Sequence, residues 1–394
     1  MHQTNKAKIN YKSIAPILLS YIVMGFVDIV GVSTGFAQKD FNLTPTLAQL
    51  IPSMVFVWFF ILSIPVSLLQ NKIGKKNTLL IGIAATAVGM FTPFVSYTYP
   101  VFLFSFVLLG IGNTFIQVSS NPLLREVVSE GKYPSLLSIS QFVKAISSLL
   151  GPLIVAFMVT FAGDWKNVFL AYGLISILTA AWLSKTVVNE KFKADATSFR
   201  KCFALLGDPL IAFMVLSIFL IVGIDVGMNT NIQGLLVSNY GLSLEDSSLG
   251  ISLYFFSLMV SRFVGAIILN KMSHLKFLKW SSLLTVLFFL GLIFSSSLFT
   301  SLAFIVLVGL ASANLFPLIF ALTINKRPSR SNEISGLMTM AIIGGAIVPL
   351  LMGLVQKSFT VNEGFIVLIV SAVIISISHR VLKRSETGSA LKFK

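Results

Sequence analysis

Twelve long apolar runs constrain the fold of this chain more than any other feature. Each is long enough for a helix of about 20 residues, the length that crosses the hydrocarbon core of a bilayer. The runs are continuously apolar rather than alternating, which disfavours membrane strands. The sequence therefore predicts an all-α, multi-pass membrane protein with spans at roughly 13–37, 45–70, 77–98, 100–124, 134–162, 167–188, 209–236, 246–270, 276–297, 299–324, 334–356 and 364–382.

The composition agrees with a bilayer environment. Of the 394 residues, 56% are hydrophobic and 11% are charged, whereas soluble domains carry about 25% charged residues. The single cysteine, Cys202, excludes an internal disulfide. The polar, basic start leads directly into the first run without a small-residue cleavage site, so we expect no secretory signal peptide.

Lysine and arginine are distributed very unevenly between alternate connections. The N-terminus, the even-numbered loops and the C-terminus hold 24 of the 29 basic residues, while the odd-numbered loops hold three. Because basic residues accumulate in cytoplasmic loops, we expect both termini to be cytoplasmic, in a bacterial-type inner membrane. The same asymmetry accounts for the formal net charge of +15 without a nucleic-acid partner.

The two halves of the chain resemble each other. Asn71-Lys72, after span two, recurs as Asn270-Lys271 after span eight, and three further pairs of glycine or proline have offsets of 197 to 199 residues. Six spans separate the copies, so the repeats run parallel, as in transporters built from two six-helix bundles. The predicted division is an N-terminal bundle at 1–188, a cytoplasmic linker at 189–207 and a C-terminal bundle at 208–394.

Four charged residues lie deep inside the spans, namely Asp28, Lys144, Asp225 and Arg262. A charge at the bilayer centre costs at least about 2.5–3.5 kcal/mol, so the four imply mutual pairing or a wet cavity. Asp28 and Asp225 lie at matching depths in spans one and seven. A carboxylate there can take a proton when desolvated and lose it when solvated, which predicts a role in ion coupling. The alternative is a structural ion pair with Lys144 or Arg262, and Arg262 is interpreted as structural.

Amide side chains form stripes at intervals of four residues in spans four and seven, and span five adds an amide beside its lysine. Amides offer donors and acceptors together, which suits the hydroxyl groups of a sugar. Hydrogen bonding between helices is the alternative. The predicted substrate contacts are Asn113, Gln117, Asn121, Gln141, Lys144, Asn229 and Gln233.

The connections NKIGKK and NKMSHLK combine small and basic residues at the inner ends of spans two and eight. They predict cytoplasmic gate elements and topology anchors. The sequence has no P-loop lysine motif, catalytic triad or metal-ligand cluster, so we expect neither an enzyme nor a cofactor or metal. The residues assigned to structure and gating are Asn71, Lys72, Gly74, Arg262, Asn270 and Lys271.

Three stretches show a family resemblance: GIGNTFIQVSSNPLL in span four, QFVKAISSLLGPL in span five, and NLFPLIFAL with GLMTMAIIGGAIVPLLMG in spans ten and eleven. Through them the chain resembles the fucose:proton symporter branch of the major facilitator superfamily. The resemblance covers nearly the whole chain. The acidic residue of the general superfamily loop motif is replaced here by Asn71.

This resemblance implies a twelve-helix symporter for a monosaccharide, driven by protons or, in some relatives, by sodium. Asp28 corresponds to the carboxylate of span one that serves coupling in fucose-type members, and Gln117 stands where span four carries a second carboxylate. Lys144 stands where relatives carry asparagine in span five. It either pairs with Asp28 or binds an anionic group.

The prediction is therefore a symporter for fucose, glucose or an amino sugar, acting as a monomer in the lipid bilayer. An acidic sugar, such as a sialic acid or a uronate bound through Lys144, is the alternative. An exporter of drugs or metabolites is a more distant one, because it would need a less polar cavity.

Overall fold

Twelve helices within the described part of the chain are long and apolar enough to cross a membrane, which confirms the predicted number. The computed structural model describes residues 11–127, 133–188, 190, 199–269, 272–326 and 330–383, and these contain no strand. In chain order, spans one to twelve are Ile14–Asp40, Pro45–Gln70, Lys75–Val95, Tyr99–Leu124, Ile139–Ala162, Asn167–Lys185, Pro209–Tyr240, Leu244–Leu269, His274–Ile293, Leu298–Ile324, Gly336–Ser358 and Val361–Lys383.

Local stop signals set several span ends a few residues from their predicted positions. Span three ends at Val95 rather than at 98, because Ser96 takes an extended conformation with φ −156° and ψ 131°. Span seven continues past 236 to Tyr240, where Gly241 ends it with a left-handed φ of 65°. The apolar pattern therefore finds each span, and backbone conformation decides where it stops.

Three spans are interrupted where they line a central cavity. Span one changes from α-helix to a 3-10 turn over Phe26–Ile29. Span ten breaks between Ser312 and Leu315, and span eleven contains the 3-10 turn Ala341–Ile343. Within a membrane, irregular backbone is tolerated where it faces protein or water rather than lipid. All three interruptions meet this condition, because residues from each of them line the cavity.

The spans pack mainly within two groups of six. Spans two, three and four pack together in the first group, and spans seven and eleven, eight and ten, and nine and ten pack in the second. The groups meet where span five contacts span eight, span two contacts span eleven, and span one contacts span seven. Of the predicted linker, the described part includes a short helix, Phe199–Ala204, and a 3-10 turn, Leu205–Gly207. The domain boundaries stay a prediction.

The outer face of the bundle is apolar. Large side chains such as Phe104, Phe157, Leu178, Trp182 and Trp280 are each about half or more exposed. In water so much exposed apolar surface would drive aggregation. In a bilayer, the same apolar surface contacts the apolar lipid chains without being exposed to water.

The connection between spans two and three is held by the carboxylate of Glu190, which lies five residues past the end of span six. Gly74 joins the two spans with φ 91°, a conformation that favours glycine. Glu190 then accepts hydrogen bonds from the backbone N–H groups of Lys75 at 2.5 Å and Lys76 at 2.9 Å. Since these N–H groups have no partner inside their own helix, Glu190 caps span three and also satisfies its helix dipole. The Lys75 ammonium pairs with Glu126 at 2.7 Å.

Replacing Glu190 with alanine should lower the thermal stability of the detergent-solubilised protein by about 2–4 °C, since losing a cap costs about 0.5–2 kcal/mol. The matched control is Glu245→Ala. That carboxylate also lies in the first turn of a span but makes no side-chain hydrogen bond with the described residues. Melting curves followed by size-exclusion chromatography would measure both variants. Equal melting temperatures for the two would contradict the capping role.

A polar network at the surface joins the connections at the opposite end of the first six spans. One oxygen of Asp40 accepts from the Tyr97 hydroxyl at 2.6 Å and from the Trp165 indole N–H at 3.0 Å. Burial, together with the neighbouring Asp40 carboxylate, raises the pKa of Tyr97, so its hydroxyl stays protonated and donates. Lys166 lies 4.0 Å from the centre of the Tyr97 ring and pairs with Asp164 at 3.1 Å. These contacts tie the ends of spans one, three and six together.

Candidate functional site: a central cavity open at one end

A cavity of about 1830 Å³ lies between the two groups of six spans. It extends from Asp28 and Asp225 to Lys75, Glu126 and His274 at one end of the bundle, here called the open end. The other end, at the loops carrying Tyr97 and Gly241, contributes no lining residue and is here called the closed end. Within the described part of the chain, the cavity therefore opens toward one end of the bundle.

Asp28 sits at the deepest point of the cavity on span one. Its carboxylate accepts a hydrogen bond from the Ser148 hydroxyl of span five. It interacts electrostatically with Lys144, Asp225 and Arg262, and all four charged side chains line the same cavity. Their formal charges sum to zero, so loading or removing a proton unbalances the site.

Lys144 and Gln141 line the cavity from span five, and their contact with substrate stays a prediction. Between described residues, the ion pairs with an N–O distance under 4 Å are Lys75–Glu126 and Lys166–Asp164. In this conformation Lys144 is therefore near Asp28 without a direct ion pair to it. The ammonium group is available to a ligand in the cavity.

The three amides of span four all line the cavity. The Asn113 amide nitrogen donates to the Met24 carbonyl at 2.7 Å, and its side-chain oxygen is buried with no hydrogen-bond partner among the described residues. Asn121 accepts from the Tyr21 hydroxyl at 2.6 Å. Gln117 lies one turn from each on the same face. Gln117 and Asn121 are partly exposed and can meet the hydroxyls of a ligand, whereas Asn113 is fully buried in this conformation.

The C-terminal half contributes a carboxylate held by a tyrosine. The Tyr254 hydroxyl of span eight donates to Asp225 at 2.9 Å. Arg262 lines the cavity two turns further along span eight, so its side chain faces the site rather than only packing between helices. At the break in span ten, Asn314 lines the cavity and donates to the Ser261 carbonyl at 2.9 Å. Sequence reasoning missed Tyr254 and Asn314, because a single tyrosine or asparagine in an apolar run carries no spacing signal.

Asn229 and Gln233 lie outside the cavity in this conformation, although they share the Asp225 stripe. Asn229 donates to the main-chain carbonyl of Asp28 at 2.9 Å, and Gln233 donates to the Leu244 carbonyl at 2.7 Å. Both side chains are almost fully buried. The expectation that the whole stripe faces one cavity is corrected here: beyond Asp225, span seven packs tightly against span one. Their contact with substrate stays a prediction.

A layer of polar contacts between the halves closes the bundle beyond Asp28, and we call it the seal. Gln49 of span two donates across the halves to the Asn231 side-chain oxygen at 3.2 Å. Gln356, in the same half as Asn231, holds that oxygen in place by donating to it at 2.9 Å. Thr46 donates to the Gly353 carbonyl at 3.1 Å and Ser53 to the Ala346 carbonyl at 2.8 Å. The seal consists of these contacts and the bond from Asn229 to Asp28. The sequence analysis did not single out Gln49, Asn231 or Gln356, because their partners are distant in sequence.

The residues assigned to gating are only partly described. Lys72 is exposed at the open end, and Gly74 forms the turn capped by Glu190. Asn71 lies in the last turn of the span-two helix, Leu50–Ile73. Asn270 and Lys271 lie outside the described residues. The prediction of gate elements at these two connections stays a prediction.

Twelve spans around a polar cavity that is open at one end and sealed at the other define a multi-pass membrane transporter rather than an enzyme. The chain belongs to the Major Facilitator Superfamily, whose family model matches residues 17–231 and 214–392. This confirms the superfamily predicted from the motifs of spans four, five, ten and eleven.

Two bacterial relatives span almost the whole chain. A glucose/galactose transporter of Brucella abortus biovar 1 is 23% identical over 395 residues, which cover 94% of each chain. A putative glucose/galactose transporter of Helicobacter pylori is 26% identical over 366 residues, which cover 87% of this chain and 88% of the relative.

Solved structures share the fold. The E. coli fucose:proton symporter FucP superposes with a TM-score of 0.69 at 18% identity, covering 94% of this chain and 98% of its own. A D-xylose-proton symporter superposes with a TM-score of 0.79 at 13% identity, covering 94% and 97%. At such identities the likeness establishes the shared fold. It agrees with the resemblance to the fucose:proton symporter branch.

Proposed function

We propose that this protein is a symporter that imports a monosaccharide together with a cation, a proton in the first instance and sodium as the alternative, by alternating access. The observation that carries the proposal is the composition of one cavity: the amides Asn113, Gln117, Asn121 and Gln141 lie beside the opposite charges of Asp28 and Lys144. Amides match sugar hydroxyls, and a desolvated carboxylate can carry a proton. The glucose/galactose transport named for two relatives supports the same substrate class.

The proposed orientation places both termini in the cytoplasm of a bacterial inner membrane, because 24 of the 29 basic residues belong to the termini and loops of one side. The open end then faces the cytoplasm and the closed end faces outside. The conformation is accordingly interpreted as inward-facing, the state from which imported substrate is released. A single chain supplies both sides of the cavity, so we propose a monomer as the working unit.

A second candidate substrate is an acidic sugar, such as a sialic acid or a uronate. Three cations line the cavity, and within the described part of the chain Lys75 pairs with Glu126, whereas Lys144 and Arg262 make no ion pair under 4 Å. A carboxylate on the ligand could pair with Lys144 while Asp28 carries the proton. The two candidates therefore differ in what Lys144 contacts.

Uptake into proteoliposomes separates these candidates. Glucose, galactose, fucose, N-acetylglucosamine and sialic acid would each be tested under an inward proton gradient and, separately, an inward sodium gradient. We expect accumulation of a neutral sugar under the proton gradient, with Lys144→Asn retaining part of it. If sialic acid alone accumulates and Lys144→Asn abolishes its uptake, the acidic-sugar candidate replaces the neutral one.

The matched control for Lys144→Asn is Lys166→Asn. This lysine pairs with Asp164 outside the cavity, so its loss should leave the substrate preference unchanged. Accumulation of none of the five sugars under either gradient would contradict the proposal.

A further inference from the structure

One hydrogen bond joins the deepest carboxylate residue of the cavity to the seal. The Asn229 amide nitrogen on span seven donates to the main-chain oxygen of Asp28 on span one, 201 positions away, at 2.9 Å. A carbonyl oxygen can only accept, so this bond fixes the amide with its nitrogen toward Asp28 and its oxygen away from it. The bond exists only while the two halves are together at this depth.

Asp28 is thereby held by different halves at its two ends. Its carboxylate accepts from Ser148 on span five, in the N-terminal half. Its backbone lies in the 3-10 turn Phe26–Ile29 and is bonded to Asn229, in the C-terminal half. A 3-10 turn inside a longer helix is a common place for a hinge. A change at the carboxylate can therefore reach the seal through one residue.

The side-chain amide of Asn229 lowers the stability of the closed conformation in one respect. The side chain is 2% exposed, and its oxygen has no hydrogen-bond partner among the described residues. A buried acceptor without a partner destabilises the structure, and a leucine of similar size would avoid this. The N–H donated to Asp28 is the contact that accounts for an amide here.

We propose that Asn229 is a positioning residue that makes closure of the seal depend on the state of the Asp28 carboxyl group. This inference rests on the proposed function, in which Asp28 carries the coupling ion. When the carboxyl group gains or loses its proton, its bond to Ser148 changes, the 3-10 turn shifts, and the carbonyl moves toward or away from Asn229. The ionisable groups that face Asp28 are Lys144 of span five, Tyr172 of span six, Asp225 of span seven and Arg262 of span eight.

The test measures opening of the seal with a cysteine reporter. Ser53→Cys in a Cys202→Ser background places a thiol at the contact with Ala346, where it is buried while the seal is closed. A membrane-impermeant maleimide applied from the outside reports opening at several pH values. Rates are divided by those of Leu47→Cys, whose position is 42% exposed, to remove the pH dependence of the thiol reaction itself.

Asn229→Leu should raise the labelling rate about fivefold, the effect of one lost hydrogen bond, and abolish its dependence on pH. Thr46→Val is the matched control, since it removes another bond across the seal without touching Asp28. It should raise labelling by a similar factor and keep the pH dependence. A merely structural role for Asn229 would make the two variants alike. Asn229→Ala, which removes the donor with a smaller side chain, gives the same test if the leucine variant does not fold.

Asp28→Asn separates failure of this inference from failure of the proposed function. If Asp28→Asn removes the pH dependence but Asn229→Leu preserves it, the inference is overturned and the coupling role of Asp28 stands. If the pH dependence survives in Asp28→Asn, the coupling role itself fails, and the inference with it. A parent protein whose labelling does not vary with pH overturns both.

Discussion

Gly31→Ala is expected to lower net uptake about five- to 150-fold while leaving the protein folded and able to bind substrate from outside. Gly31 packs against Asn229 so closely that an added Cβ would overlap both the side-chain oxygen and the backbone oxygen of Asn229. A rotamer change can move the first oxygen but not the second. Spans one and seven would have to separate at the seal.

The size of this effect follows from the cost of overpacking, about 1–3 kcal/mol for an extra methyl group in a packed interior. Here the cost falls only on the state in which the seal is closed, so it shifts the balance between conformations by about five- to 150-fold. The transporter should accumulate with its outside open. Uptake into proteoliposomes would measure the loss of transport, and faster maleimide labelling of Ser53→Cys from outside would measure the opening of the seal.

Two other glycines provide a graded comparison. At Gly35 an added Cβ would overlap only the end of the Gln233 side chain, which can move, so Gly35→Ala should reduce uptake by a smaller factor. At Gly234 nothing lies within 4 Å, and Gly234→Ala should transport normally. Normal transport by Gly31→Ala would mean that closure of this seal is not part of the cycle.

Asp28→Asn is expected to abolish accumulation driven by a proton gradient, with the internal sugar concentration no longer exceeding the external one. Asparagine has nearly the shape of aspartate and keeps an oxygen to accept the bond from Ser148, but it cannot titrate. Substrate binding and exchange of internal for external sugar should therefore persist. Comparing gradient-driven uptake with exchange in the same proteoliposomes measures both.

The matched control for this variant is Asp164→Asn. That carboxylate is 41% exposed, lies in the loop at the closed end and pairs with Lys166 outside the cavity, so coupling should be unaffected. Asp225→Asn tests the equivalent carboxylate of the second half, which is held by Tyr254. Full gradient-driven accumulation by Asp28→Asn would contradict the coupling role proposed for Asp28. If Asp225→Asn alone lost accumulation, the coupling role would belong to Asp225 of span seven.

Much of the site could be predicted from sequence because isolated polar groups in apolar spans are conspicuous. Asp28, Lys144, Asp225 and the amides of span four stand out against lipid-compatible neighbours, and all of them line the cavity. Their cost in a bilayer forces them toward water or toward one another. Asn229 and Gln233 show the limit of this reasoning. A polar side chain also avoids lipid when it is buried between helices and hydrogen-bonded there, as these two amides are.

The sequence by itself determined the twelve spans, because length and apolar character decide whether a helix can cross a bilayer. The sequence also showed that Asp28 and Asp225 occupy matching positions in the two repeats. Only the tertiary structure decided which polar residues face the cavity and which close it. That division depends on contacts such as Asn229 with Asp28 and Glu190 with Lys75, which join positions more than a hundred residues apart. Helical periodicity is local, and it carries no information about which faces of distant helices meet.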